Sequence, residues 1–155
     1  MRLILKGSAL MALPFFLTSF LFFSKPTHWN FQSTQVQGVK AALLQYEPLK
    51  QKDAISVEFL KVGSKRQATL SLLQKVLEQN LHGETIPVHL VTEGLTIQGS
   101  AYCLKGGQRL VLDEGTEKTL FRLLREKKSV TLSVASSEST LIPENFNKYS
   151  KYFSE

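Results

Sequence analysis

The sequence predicts an α+β fold: an N-terminal transmembrane or signal helix, then one small domain with a mixed, largely antiparallel sheet of about five strands and two to three helices on one face. Three observations carry that prediction. An uncharged apolar run opens the chain, helical and strand periodicities alternate after it, and the central strands are joined by glycine turns of hairpin length. A chain of 155 residues has room for one ordinary domain, and its 43% hydrophobic and 21% charged content is that of a globular protein.

Residues 7–24 carry no charge and lie between Lys6 and Lys25, with Arg2 upstream. At ~1.5 Å per helical residue the run covers ~27 Å, and Leu3, Ile4 and Leu5 extend it towards the ~30 Å hydrocarbon core of a bilayer. Residues 1–26 are therefore expected to be a signal-anchor or signal peptide, with residues 3–24 in the lipid bilayer. The basic amino end stays in the cytoplasm, so the expected location is the membrane, single-pass, with the main domain extracytoplasmic; cleavage would instead leave it secreted or periplasmic. Phe22 and Leu17 stand where cuts after Ser24 and Ser19 want small side chains. Phe15, Phe16, Phe20, Phe22 and Phe23 face every direction of a helix, leaving it no side for solvent.

Residues 27–34 are polar and read as a linker, the α+β domain occupies 35–136, and 137–155 form a serine-rich spacer with an aromatic C-terminal helix or tail. Val36, Val39, Leu43 and Tyr46 recur at helical spacing and predict a helix over 35–46. Ile55 to Val62 alternates as a strand. Ser64 then caps a helix reaching Asn80 or Leu81, with Ala68, Leu72 and Val76 in one row. Strands follow at 86–91, 95–104 and 109–112, turned by Glu93-Gly94 and by Lys105-Gly106-Gly107-Gln108. Pro87 has no N–H to donate, which puts its strand at a sheet edge or makes Pro87 its first residue. Thr116 caps a helix over 117–128 whose Leu120, Phe121, Leu123 and Leu124 form the buried stripe, and 129–134 alternates as the last strand.

The formal charge is +6, but Arg2, Lys6 and Lys25 belong to the opening segment, so the remainder carries only a small positive excess. Lys50, Lys52, Lys61, Lys65 and Arg66 are interleaved with acids, and Arg122, Arg125, Lys127 and Lys128 close a helix, so both groups read as solvated faces. No strand alternates basic and aromatic side chains, and nucleic acid is not expected as a partner. A weakly basic nucleic-acid-binding module is kept as a second alternative; it requires Lys61, Lys65 and Arg66 to share a face with Arg122, Arg125 and Lys128.

One cysteine excludes an intramolecular disulfide framework, and the register of Cys103 with Ile97, Gly99 and Ala101 points it inward. His28, His82 and His89 lack metal-ligand spacing, and Asp113-Glu114-Gly115 offers too few oxygens for calcium, so no metal or cofactor is expected. Gly99-Ser100-Ala101 lacks the second glycine and the helix of a nucleophile elbow. The first alternative is nevertheless a small secreted or tethered hydrolase using Cys103 or Ser100, which requires His89 within hydrogen-bond reach.

The leading expectation is a membrane-anchored extracytoplasmic interaction or scaffold module without enzymatic activity, in an envelope assembly, contacting another protein or a second copy of itself. No catalytic residue and no small-molecule substrate is assigned. Phe146, Tyr149, Tyr152 and Phe153 fall along one side of a C-terminal helix and are the candidate partner-binding residues. The competing expectation docks that helix on the chain's own sheet.

Overall fold

The computed structural model describes residues 29–48, 54–78 and 83–154. A hairpin of β1 (Trp29–Val36) and β2 (Val39–Tyr46) is followed by β3 (Ile55–Val62), paired with β2, and β4 (Lys65–Leu72), paired with β3. A second meander of β5 (Thr85–Thr92), β6 (Leu95–Cys103) and β7 (Arg109–Leu112) joins the first through the pairing of β7 with β4. Helix α1 (Glu114–Arg125) leads to a hairpin of β8 (Val130–Val134), paired with β5, and β9 (Ser137–Leu141), and the short helix α2 (Phe146–Ser150) follows. All ladders are antiparallel and belong to one nine-stranded sheet, ordered β1-β2-β3-β4-β7-β6-β5-β8-β9.

This corrects the expected fold class, since the sheet has nine strands rather than five and only two helices accompany it among the described residues. The predicted helix over 35–46 is strand. Ala42, Leu44 and Tyr46 are buried while the residues between them are not, a period of two, and Gln37-Gly38 turns the chain at φ 50° and 80°. The predicted helix from Ser64 begins as β4 instead. Ala68, Leu70 and Leu72 are buried, whereas Val76 of the expected helical row is 59% exposed. Leucine and alanine favour helix by propensity. What decides is the pairing of β4 with β3 on one side and β7 on the other, which satisfies its backbone from both.

The expected linker at 27–34 falls largely in β1, and the serine-rich spacer supplies β9, where Ser137 and Ser139 are each 1% exposed. Strand β5 is not at an edge, yet its ladder with β8 begins at Val88, one residue beyond Pro87, which has no N–H to contribute. The strands of the second meander and β8 fall where the alternation places them, and α1 contains the leucine stripe but begins and ends three residues before the expected 117–128.

The expected membrane or signal helix over 1–26 lies outside the described residues. Among the described residues no helix is long and apolar enough to cross a membrane. The transmembrane, signal-anchor and single-pass reading, and the extracytoplasmic location drawn from it, therefore have no support in the structure.

The ends of the sheet meet. The Trp29 indole N–H donates to the Ile142 carbonyl at 2.7 Å, the Tyr46 hydroxyl to the Thr140 carbonyl at 2.9 Å, and the Ile55 N–H to Ser139 Oγ at 2.8 Å. Burial pushes the Tyr46 phenol up, and a backbone hydrogen bond at Ile142 opposes it. Strand β9 thus crosses the ends of β1, β2 and β3 and folds one face of the sheet inward as the core. Phe146 of α2 fills that space, with ring centroids 4.9 Å from Trp29 and 5.2 Å from Phe121 of α1. Replacing Trp29 by Phe leaves the Ile142 carbonyl without its donor and opens a void. Urea unfolding of Trp29→Phe is expected to show a loss of about 2–4 kcal/mol, with an unchanged fold by circular dichroism.

Candidate functional site

Two constructions on α1 organise the surface around it. At its N-terminus Asp113 caps the helix, accepting from the Thr116 N–H at 2.9 Å and the Thr116 hydroxyl at 2.6 Å. Its Oδ2 also receives the Ser100 hydroxyl at 2.5 Å and the Ser100 N–H at 3.0 Å, tying the helix to β6. Thr116, the cap expected from sequence, is instead the residue held by the cap. Its side chain occupies the space a Cβ at Gly99 would need, 2.2 Å from Thr116 Oγ1, so only glycine lets α1 sit this close to β6. Burial opposes the charged carboxylate, but the hydrogen bonds from Ser100 and Thr116 outweigh it and hold Asp113 down at about 2.

That corner is where the alternative hydrolase would have to work. The Ser100 hydroxyl donates its hydrogen bond to a carboxylate held so far down that it is a poor base near neutrality. His89, exposed on β5 and in register with Gln98, has no hydrogen bond to Ser100 or Asp113. Cys103 is 2% exposed, and its thiol donates to the Leu104 carbonyl at 3.5 Å. His28 and His82 lie outside the described residues. Among the described residues no group of three or more His, Cys, Asp or Glu side chains could hold a metal ion.

The second construction is a groove of about 1100 Å³ between the β3–β4 hairpin and α1. Six cations line it, Lys61, Lys65 and Arg66 from the hairpin and Lys118, Arg122 and Arg125 from the helix, together with three carboxylates. Helical geometry sets the second trio, because steps of four and three residues keep 118, 122 and 125 on one face. Arg66 reaches over the Phe121 ring, 3.8 Å from its centroid, and forms an ion pair with Glu117, which is 3% exposed. The other carboxylates are taken by helix neighbours: Lys118 donates to Glu114 at 2.5 Å and Arg122 to Glu126 at 3.1 Å. Lys118 accordingly lowers the Glu114 pKa. Lys61 donates to the Ser154 carbonyl at 2.7 Å, and Lys65 and Arg125 have no ion pair among the described residues.

The structure thus brings together five of the six cations whose common face the nucleic-acid alternative requires. Lys128 stands apart, beside Glu93 at 3.4 Å and Glu126 at 3.6 Å. The charge groups that read as separate solvated faces are two walls of one groove, and the residues between them in sequence conceal that. The spacing of Lys118, Arg122 and Arg125 was a legible sign; the burial of Glu117 by Arg66 depends on tertiary packing and was not.

The aromatic candidates divide. Phe146 and Phe153 are 0% and 1% exposed and belong to the core, whereas Tyr149 and Tyr152 stack on Phe31 at 5.2 and 4.7 Å. Tyr152 is 51% exposed. The C-terminal helix therefore packs against the chain's own sheet. No family model, curated protein or solved structure matches the chain.

Two outcomes test these constructions. A carboxyl whose folded pKa is depressed stabilises above its unfolded value and loses that contribution as pH falls, here between about 3.8 and about 2. The urea midpoint of the wild type is expected to exceed that of Asp113→Asn near neutrality and to converge on it through that window. Removing Glu117 strands the Arg66 cation against Phe121, so Glu117→Ala is expected to cost about 3 kcal/mol in urea unfolding and Glu117→Gln clearly less.

Proposed function

We propose that this chain is a binding module that holds an acidic partner in the groove between the β3–β4 hairpin and α1. The observation that carries the reading is the unequal pairing of charge: all three carboxylates of the groove are engaged within it, while Lys65 and Arg125 have no acidic partner among the described residues. Opposed cations in a concave surface strengthen the field felt by an anion entering between them. The partly buried Arg66–Glu117 pair fixes the base of the site, and the cations at its rim meet the partner. This keeps the interaction-module expectation and gives it a surface. The hydrolase alternative is not favoured, because the proton of Ser100 is directed to Asp113.

Retention on a heparin column tests the anion site directly. Lys65→Glu/Arg125→Glu is expected to elute at clearly lower salt than Lys105→Glu/Lys148→Glu, which carries the same change of net charge outside the groove. Equal elution of the two variants overturns the reading, because retention then follows net charge alone.

A further inference from the structure

We infer that β1 is a dimerisation strand, whose outer edge pairs antiparallel, about a two-fold axis, with β1 of a second copy of this chain. The surface is separate from the groove, which no residue of β1 lines. Register fixes which groups it offers. Gln37 and Gly38 form a two-residue turn with both φ positive, so Val36 and Val39 are a hydrogen-bonded pair. Counting back in twos, Thr34, Gln32 and Asn30 turn their N–H and C=O groups to β2, and Gln35, Ser33 and Phe31 turn theirs away from the sheet. Among the described residues no strand, turn or side chain takes those outward groups.

The other end of the sheet is different. On β9 the outward carbonyl of Thr140 accepts from the Tyr46 hydroxyl, that of Ile142 just beyond it accepts from the Trp29 indole, and Glu138 adds a charge. Natural sheets guard an edge with charge, proline, a bulge or shortness. Strand β1 uses none of these: it is eight residues long, uncharged and without proline, and it pairs one to one with β2.

Three features select a second copy as the occupant. An uncharged edge favours no charged foreign strand and lets two copies meet without like-charge repulsion. The strand is complementary to itself: with Ser33 on the axis, Gln32 faces Thr34 of the second copy and Phe31 faces Gln35, each contact occurring twice. Gln35 of the second copy then meets Tyr152, which stacks on Phe31 at 4.7 Å and is 51% exposed. Because the β9 edge is already taken, the pairing closes at two copies and does not extend.

Sedimentation velocity and amide exchange of the full chain over a range of concentrations test this. A monomer–dimer equilibrium is expected, with the Phe31, Ser33 and Gln35 amides exchanging more slowly as dimer forms. Ser33→Pro takes no hydrogen bond from the β1–β2 ladder, because that N–H points outward, and is expected to weaken dimerisation at least about tenfold with the fold unchanged by circular dichroism. Gln32→Lys/Thr34→Lys sets like charges opposite one another and is expected to abolish the dimer, whether or not Ser33→Pro folds; mixing it with Gln32→Glu/Thr34→Glu is expected to restore one. A chain that stays monomeric, or a dimer indifferent to these changes, overturns the inference. Slow exchange of the three amides in a monomer also overturns it, since another stretch of the same chain then covers the edge. Open-ended growth overturns the two-fold pairing.

Discussion

The indole N–H of Trp29, buried at the start of the first strand, reaches a carbonyl just beyond the last strand, and the rest of the structure depends on that closure. An open antiparallel sheet of this size leaves one face to be covered. Here β9 crosses the ends of the first three strands, so the sheet supplies much of its own cover, and α1 and α2 complete it. Ser139 accepting from the Ile55 N–H and Tyr46 donating to Thr140 repair polar groups that this crossing would otherwise leave buried and unpaired. Ser137, Ser139 and Leu141 are the buried positions of β9, and the two small serines let the strand approach the ends it crosses while Leu141 joins the core.

The closure also positions the groove. Folding the sheet inward brings the inner face of the β3–β4 hairpin up to α1, and Arg66 becomes the bridge, covering Phe121 on one side and meeting Glu117 on another. A buried charge pair of this kind contributes little net stability against an apolar equivalent, while removing one partner strands the other charge. The Asp113 corner fixes the N-terminus of the same helix, with Gly99 permitting the approach and Ser100 and Thr116 supplying the donors. Held at its N-terminal cap and again at Glu117 and Phe121, α1 presents Lys118, Arg122 and Arg125 to the groove from a fixed backbone, which lowers the ordering cost of binding a partner.

Glycine turns and strict alternation made the second meander legible, because a hairpin turn needs positive φ locally and a half-buried strand shows its period within a few residues. Leu120, Phe121, Leu123 and Leu124 likewise marked α1. Val36, Val39, Leu43 and Tyr46 misled, since their helical spacing coincides with residues of which only Tyr46 is buried in β2. In Ala68 to Val76 leucine and alanine favour helix intrinsically, and the ladders on both sides of β4 override that preference.

By itself the sequence determined the local matters: which turns reverse, which helix is amphipathic, and that Cys103 points inward. The tertiary structure alone decided that the polar stretch after Thr27 and the serine-rich stretch before Ile142 are strands, that the sheet has nine of them, and that two distant basic groups face each other. The reason is physical. Strand pairing, burial of small polar side chains at a crossing and the opposition of charges across a groove are relations between residues remote in the chain, and no local period encodes them.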